Sequence, residues 1–225
     1  MTLRQGYLAL GLTSALLALP GCLDTVELGK FGLRDASKPG ATASQRTPAL
    51  KKLSMANGDV VVVGPRGYCI DPKARKLRPG GGFALIAACE TLTGGGAGPG
   101  VTPAVLTVTI LPKSLRPSQP SAAELAAALA PAKVLAKEDG DGLSVVQLAT
   151  GGEQFTPTSD PRHWRAAMVI NGHLVTLAVY GSKGSAVAGQ KGMVLILELA
   201  EALRDASPVK VYAPEAIAKP IFKTN

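Results

Sequence analysis

Arg165-Ala-Ala-Met-Val-Ile170, Asn171-Gly172 and His173-Leu-Val-Thr-Leu-Ala-Val-Tyr180 follow one another without interruption, and this stretch decides the fold class. Both runs are apolar and rich in strand-forming side chains. The dipeptide between them tolerates the positive φ angles that a tight two-residue hairpin requires. The stretch therefore predicts two adjacent antiparallel strands. Downstream, from about Gly189 to Ala206, the pattern changes to helical spacing: Met193, Ile196, Leu197, Ala200 and Leu203 share one face, Glu198, Glu201 and Asp205 lie elsewhere, and Pro208 ends the run. Lys191, Glu198 and Glu201 interrupt it too often for a membrane span, so it is expected as an amphipathic helix laid on the sheet.

Upstream of the hairpin the same signals recur. Lys133 to Lys137 and Leu143 to Leu148 are strand candidates joined through Asp139-Gly140-Asp141-Gly142, a second turn sequence. Ser121-Ala122-Ala123-Glu124 has the serine and glutamate spacing of a capping box and starts a short helix that stops at Pro131, with Leu125 and Leu129 on its buried edge. Further strands are expected at Asp59 to Val63, Tyr68 to Ile70, Phe83 to Cys89 and Val105 to Leu111. Hairpins, a capped helix, more hairpins and a closing helix imply an α+β fold, an antiparallel β-sheet packed by a short capped helix and a long C-terminal amphipathic helix. This domain is assigned to 51–208, with 209–225 as an extended tail.

The chain begins Met1-Thr2-Leu3-Arg4, followed by an apolar stretch from Tyr7 to Leu19. A single early cation before a run too short to cross a bilayer of about 30 Å is the layout of an export signal. The stretch ends in Leu19-Pro20-Gly21-Cys22, which resembles the lipobox of bacterial lipoproteins, with Pro20 replacing the usual small residue. That resemblance implies removal of residues 1–21 and lipidation of Cys22 by diacylglycerol and fatty acyl groups such as palmitate. The protein would then be lipid-anchored and periplasm-facing. Leu23 after the cysteine favours the outer membrane over the inner one. Residues 22–50 mix charges with Gly, Ser, Thr and Pro and are assigned to a tether, whose root-mean-square reach would be about 30 Å.

Charge and cysteine usage fit an exported domain. The formal net charge is +8 over 225 residues, and only Arg4 among the charged residues belongs to the signal, so the processed chain carries +7. A basic excess suits an anionic lipid, an acidic polymer or an acidic envelope protein as partner, and no nucleic acid is expected outside the cytoplasm. With Cys22 acylated, Cys69 and Cys89 remain as an even pair in an oxidising compartment, centred on Pro79 within a Pro-Gly-Gly-Gly turn. Compartment and spacing favour a disulfide; two separate buried thiols are the alternative.

Gly64-Pro65-Arg66-Gly67-Tyr68-Cys69-Ile70-Asp71-Pro72 and Phe83-Ala84-Leu85-Ile86-Ala87-Ala88-Cys89 are similar to segments of a family of exported alphaproteobacterial lipoproteins, over roughly residues 55 to 206. The order of elements resembles the PsbP-like fold. Neither resemblance implies a catalytic residue.

Motifs for cytoplasmic and catalytic chemistry are missing. The glycine-rich segment 93–100 lacks the Gly-Lys-Ser/Thr of a phosphate-binding loop, and there is no Gly-x-Ser-x-Gly elbow. The two histidines, His163 and His173, form no His-Glu-x-x-His, and Asp139 and Asp141 lack the further ligands of a calcium loop. No enzyme activity, cofactor or metal is therefore expected. A hydrolase with a site lacking these motifs and a small-ligand carrier with an apolar cavity under the closing helix are the competing expectations. The residues singled out for binding are Lys73, Arg75, Lys76 and Arg78 between the cysteines, with Arg66 just ahead of them, and Arg162, Trp164 and Arg165, where the only tryptophan stands among arginines. A solvated hairpin and a tryptophan packed over the sheet are the competing readings of those two groups.

Overall fold

A computed structural model describes residues 48–95 and 99–210. Cys22, the signal, most of the tether and the tail beyond 210 lie outside these residues. Among the described residues nine strands and three α-helices follow in chain order: β1 (Leu53–Met55), β2 (Val60–Val62), β3 (Tyr68–Arg78), β4 (Gly81–Ala88), α1 (Cys89–Thr93), β5 (Ala104–Ile110), α2 (Ala122–Ala128), β6 (Val134–Gly140), β7 (Leu143–Leu148), β8 (His163–Ile170), β9 (His173–Gly181) and α3 (Gln190–Ala206). β1 and β2 form a small antiparallel sheet of their own. The other seven form one sheet in the order β3-β4-β5-β9-β8-β7-β6, with every pairing antiparallel. This is the α+β architecture expected from the hairpin and helix patterns.

The Asn171-Gly172 turn forms as its sequence dictates, with φ of 50° and 83°, and Asp141-Gly142 repeats the conformation between β6 and β7. Ile170 then faces His173, and the register continues to Trp164 opposite Val179. The strict alternation of a strand sends successive side chains to opposite faces. One face carries Ile86, Leu106, Val108, Leu177, Met168 and Val145 into a continuous core with Ile196, Leu199 and Leu203 of α3 and Val60 and Val62 of β2, all nearly or fully buried. Each such side chain removed from water contributes roughly 1.5–3 kcal/mol. The closing helix therefore lies on a filled interface, and the hollow that borders it opens at its flank, against β6 and β7.

The opposite face is covered at the β6–β7 end by α2, where Ala122, Val146 and Leu148 form a second apolar cluster with half-buried Leu125 and Leu129. Ser121 caps α2 with a complete capping box: its hydroxyl accepts from Glu124 N–H and the Glu124 carboxylate accepts from Ser121 N–H. The segment leading to α2 crosses this face through Gln119, which donates to the Ala167 carbonyl at 2.9 Å.

Several local details differ from the sequence reading. β3 does not stop at Ile70 but continues to Arg78, so the basic residues stand along a strand and only Pro79-Gly80 forms the turn. β3 is the edge of the sheet, where Pro72 leaves no ladder donor missing, and the register shift between Ile70 and Arg75 absorbs the irregularity. Leu53–Met55, not anticipated as a strand, pairs with Val60–Val62. The strand expected over Phe83 to Cys89 gives up its last residue to α1.

Candidate functional site

Cys69 and Cys89 form a disulfide, with Cα atoms 4.8 Å apart. The β3–β4 register places Cys69 beside Ala87, and Cys89 opens α1 just past the end of β4. The bond ties the start of the edge strand to the helix that leaves the hairpin. Lys51 donates to the Cys89 sulfur at 3.5 Å.

Beyond this staple the hairpin carries its charge outward. Lys73, Arg75, Lys76 and Arg78 are all exposed, and none of them ion-pairs with a described residue. No acidic residue occurs between Pro72 and Ala88. The register puts Arg75 opposite Ala84 and Lys76 opposite Phe83, so the cations spread over both faces of the edge. Apolar side chains accompany them: Leu77 is 55% exposed, and in the loop after β5 Leu111 and Leu115 are 38% and 100% exposed. The turn and that loop border a shared groove of about 380 Å³ lined by Lys76, Arg78, Phe83, Leu111 and Pro112. Arg116 is exposed beside Leu115. Arg66 is also exposed, but it precedes β3 at the disulfide end, on the order of 30 Å along the strand from Arg78. The structure thus gathers four of the five predicted cations and leaves Arg66 apart.

The second predicted group is divided by strand alternation. Trp164 faces the core, is buried, and donates its indole N–H to the Gly189 carbonyl at 2.8 Å beneath α3. It is not presented to a partner. Arg162 is engaged with buried Asp160 through its Nε at 3.1 Å and Nη2 at 3.3 Å. That bond, aided by backbone donors at Gly184 and Arg162, draws the Asp160 carboxyl down to about 2 against the cost of burial. The pair pins the loop before β8 to the turn at Gly184.

Arg165 points away from Trp164, to the other face. Its Nε is buried and has no hydrogen-bond partner among the described residues. It lines a hollow of about 310 Å³ together with His163, Gln154, Thr150, Leu148, Leu129 and Pro131. The His163 ring stacks on Tyr180, centroids 5.1 Å apart, and Tyr180 stacks on Phe155 at 4.4 Å. Burial, opposed by the hydrogen bond to the Pro161 carbonyl and reinforced by the positive charge of Arg165, lowers the His163 pKa. Of this hollow the sequence reading singled out only Arg165. Residues 150–154 come from a loop whose return to the sheet has no periodic signature.

Among the described residues no cluster of three or more His, Cys, Asp or Glu side chains could hold a metal ion, and no helix there is long and apolar enough to cross a membrane. The class defined by fold and surface is an antiparallel α+β domain with a disulfide-stapled basic edge. Comparison with protein-family models, with curated proteins and with solved structures returns no match.

Proposed function

We propose that the protein is an envelope lipoprotein, acylated at Cys22 and held at the periplasmic side of the outer membrane, with a non-catalytic binding or assembly role carried by the basic end of β3. The supporting observation is the concentration of Lys73, Arg75, Lys76 and Arg78, free of ion pairs with described residues, beside exposed Leu77, Leu111 and Leu115. Cations alone would suit any solvated surface. Cations interleaved with bare leucines suit an interface that is anionic and partly apolar, as lipid headgroups over acyl chains are, and each Lys or Arg near such a surface contributes about 1 kcal/mol.

The test separates the edge from the lipid anchor. Protein lacking residues 1–21 and carrying Cys22→Ser is floated with vesicles of phosphatidylglycerol or phosphatidylcholine. The expected result is flotation with the anionic vesicles only, weakened by salt, and reduced at least about tenfold when Lys73, Arg75, Lys76 and Arg78 are all replaced by Ser. Equal partition onto both vesicle types, or no effect of the fourfold substitution, would overturn the assignment.

A further inference from the structure

We infer that the hollow around Arg165 is a binding site for a small organic carboxylate that bears a hydroxyl or N–H donor next to the acid and a short apolar chain. The site is independent of the basic β3 edge: it lies on the face shared with α2, between the end of that helix and the loop before β8.

Its three chemical elements come from different parts of the fold. Arg165 supplies the anion-binding group, a guanidinium whose buried Nε has no acceptor among the described residues. Buried donors are almost always paired, and an arginine fork matches the two oxygens of a carboxylate. The acid close enough to act on His163, Glu153, has its Oε2 engaged by Gly151 N–H at 2.9 Å.

His163 supplies the second element. Its Nδ1 lies 3.2 Å from the Pro161 carbonyl, and a carbonyl only accepts, so Nδ1 carries the proton and Nε2 of the neutral ring is an acceptor. The stack on Tyr180 and Phe155 fixes the plane of that ring. A ligand hydroxyl or N–H would satisfy Nε2 while the neighbouring carboxylate meets Arg165. The third element is the wall of Leu129, Leu148 and Pro131, which suits a short hydrocarbon chain. The hollow, about 310 Å³, has room for a small ligand of this kind.

The probe that combines these features is 2-hydroxyhexanoate, titrated into the full-length protein by calorimetry and followed at the His163 imidazole by NMR. Saturable binding with a shift of the His163 signals is expected. Arg165→Gln should weaken it at least about tenfold, because the paired donors for the carboxylate are lost. Thr150→Trp, which fills the hollow from an exposed position on its rim, should do the same without disturbing the core. Hexanoate should bind several-fold less tightly, since Nε2 is left unsatisfied. The inference is overturned by no binding at about 10 mM, by equal binding to a correctly folded Arg165→Gln or Thr150→Trp variant, or by inorganic phosphate binding as tightly as the hydroxy acid.

Discussion

Gly192 has no room for a single added carbon. A Cβ there would lie 2.0 Å from the Val187 carbonyl oxygen and 2.5 Å from Cδ1 of Trp164, at the point where α3 presses on the indole. Alanine is the better helix former by about 1 kcal/mol, but overpacking a filled core typically costs about 1–3 kcal/mol. Gly192→Ala should therefore destabilise the domain by up to about 2 kcal/mol in urea denaturation, and a higher midpoint would contradict the packing described. Asp160 gives a residue-scale prediction in pH. Its carboxyl is drawn from 3.8 to about 2, first by the hydrogen bond from Arg162, so it contributes stability that is complete above pH 3.8 and lost as the pH falls toward 2. Arg162 is 48% exposed, so solvent screening keeps the contribution small. Stability measured between pH 6 and pH 2 should fall less steeply in Asp160→Asn than in the parent. Parallel curves would show that the pair has no such role.

Among the elements, those whose identity rests on local chemistry were the legible ones. Asn171-Gly172 needs positive φ at both residues, Ser121 and Glu124 complete each other's hydrogen bonds, and the helical spacing of Met193, Ile196, Ala200 and Leu203 marks a buried stripe, from which Leu197, read on the same face, is left out and exposed. Elements that depend on position in the finished sheet were not. Pro72 and four cations read as a loop between the cysteines, yet the same residues form a strand because the edge makes no demand on the missing proline donor and leaves the charges in water. Leu53–Met55 is three residues long and acquires its strand conformation only from Val60–Val62. The Arg165 hollow was illegible for a similar reason: it requires knowing that β8 turns Trp164 inward and Arg165 outward, and where the 150–154 loop returns. The disulfide is the element whose energetics are most directly testable. It closes a span of 20 residues, for which the chain-entropy estimate is about 3 kcal/mol. Cys69→Ala with Cys89→Ala should lower unfolding stability by that order and speed amide exchange first in β3 and β4. A loss below about 0.5 kcal/mol would mean that the β-ladder alone holds the hairpin.

At the scale of the whole molecule, one end of the sheet is arranged differently from the rest. Asn171 bonds the Asp59 and Pro208 carbonyls, each at 2.7 Å, and His173 Nε2 lies 3.1 Å from the Asp59 carboxylate, joining the β1–β2 sheet, the β8–β9 turn and the end of α3. Lys210 also pairs with Asp59, whose pKa is lowered chiefly by that bond. The charged groups there pair within the domain around Asp59, whereas those of the β3 edge are offered outward. The role proposed for that edge at a membrane rests on the anchoring of the chain. Mass spectrometry of protein extracted from membranes, with and without reduction, tests that most directly. The account predicts a mature chain beginning at Cys22, heavier by a diacylglycerol and a fatty acyl group, with two thiols appearing on reduction. An unmodified Cys22 on a chain that retains residues 1–21 would contradict it.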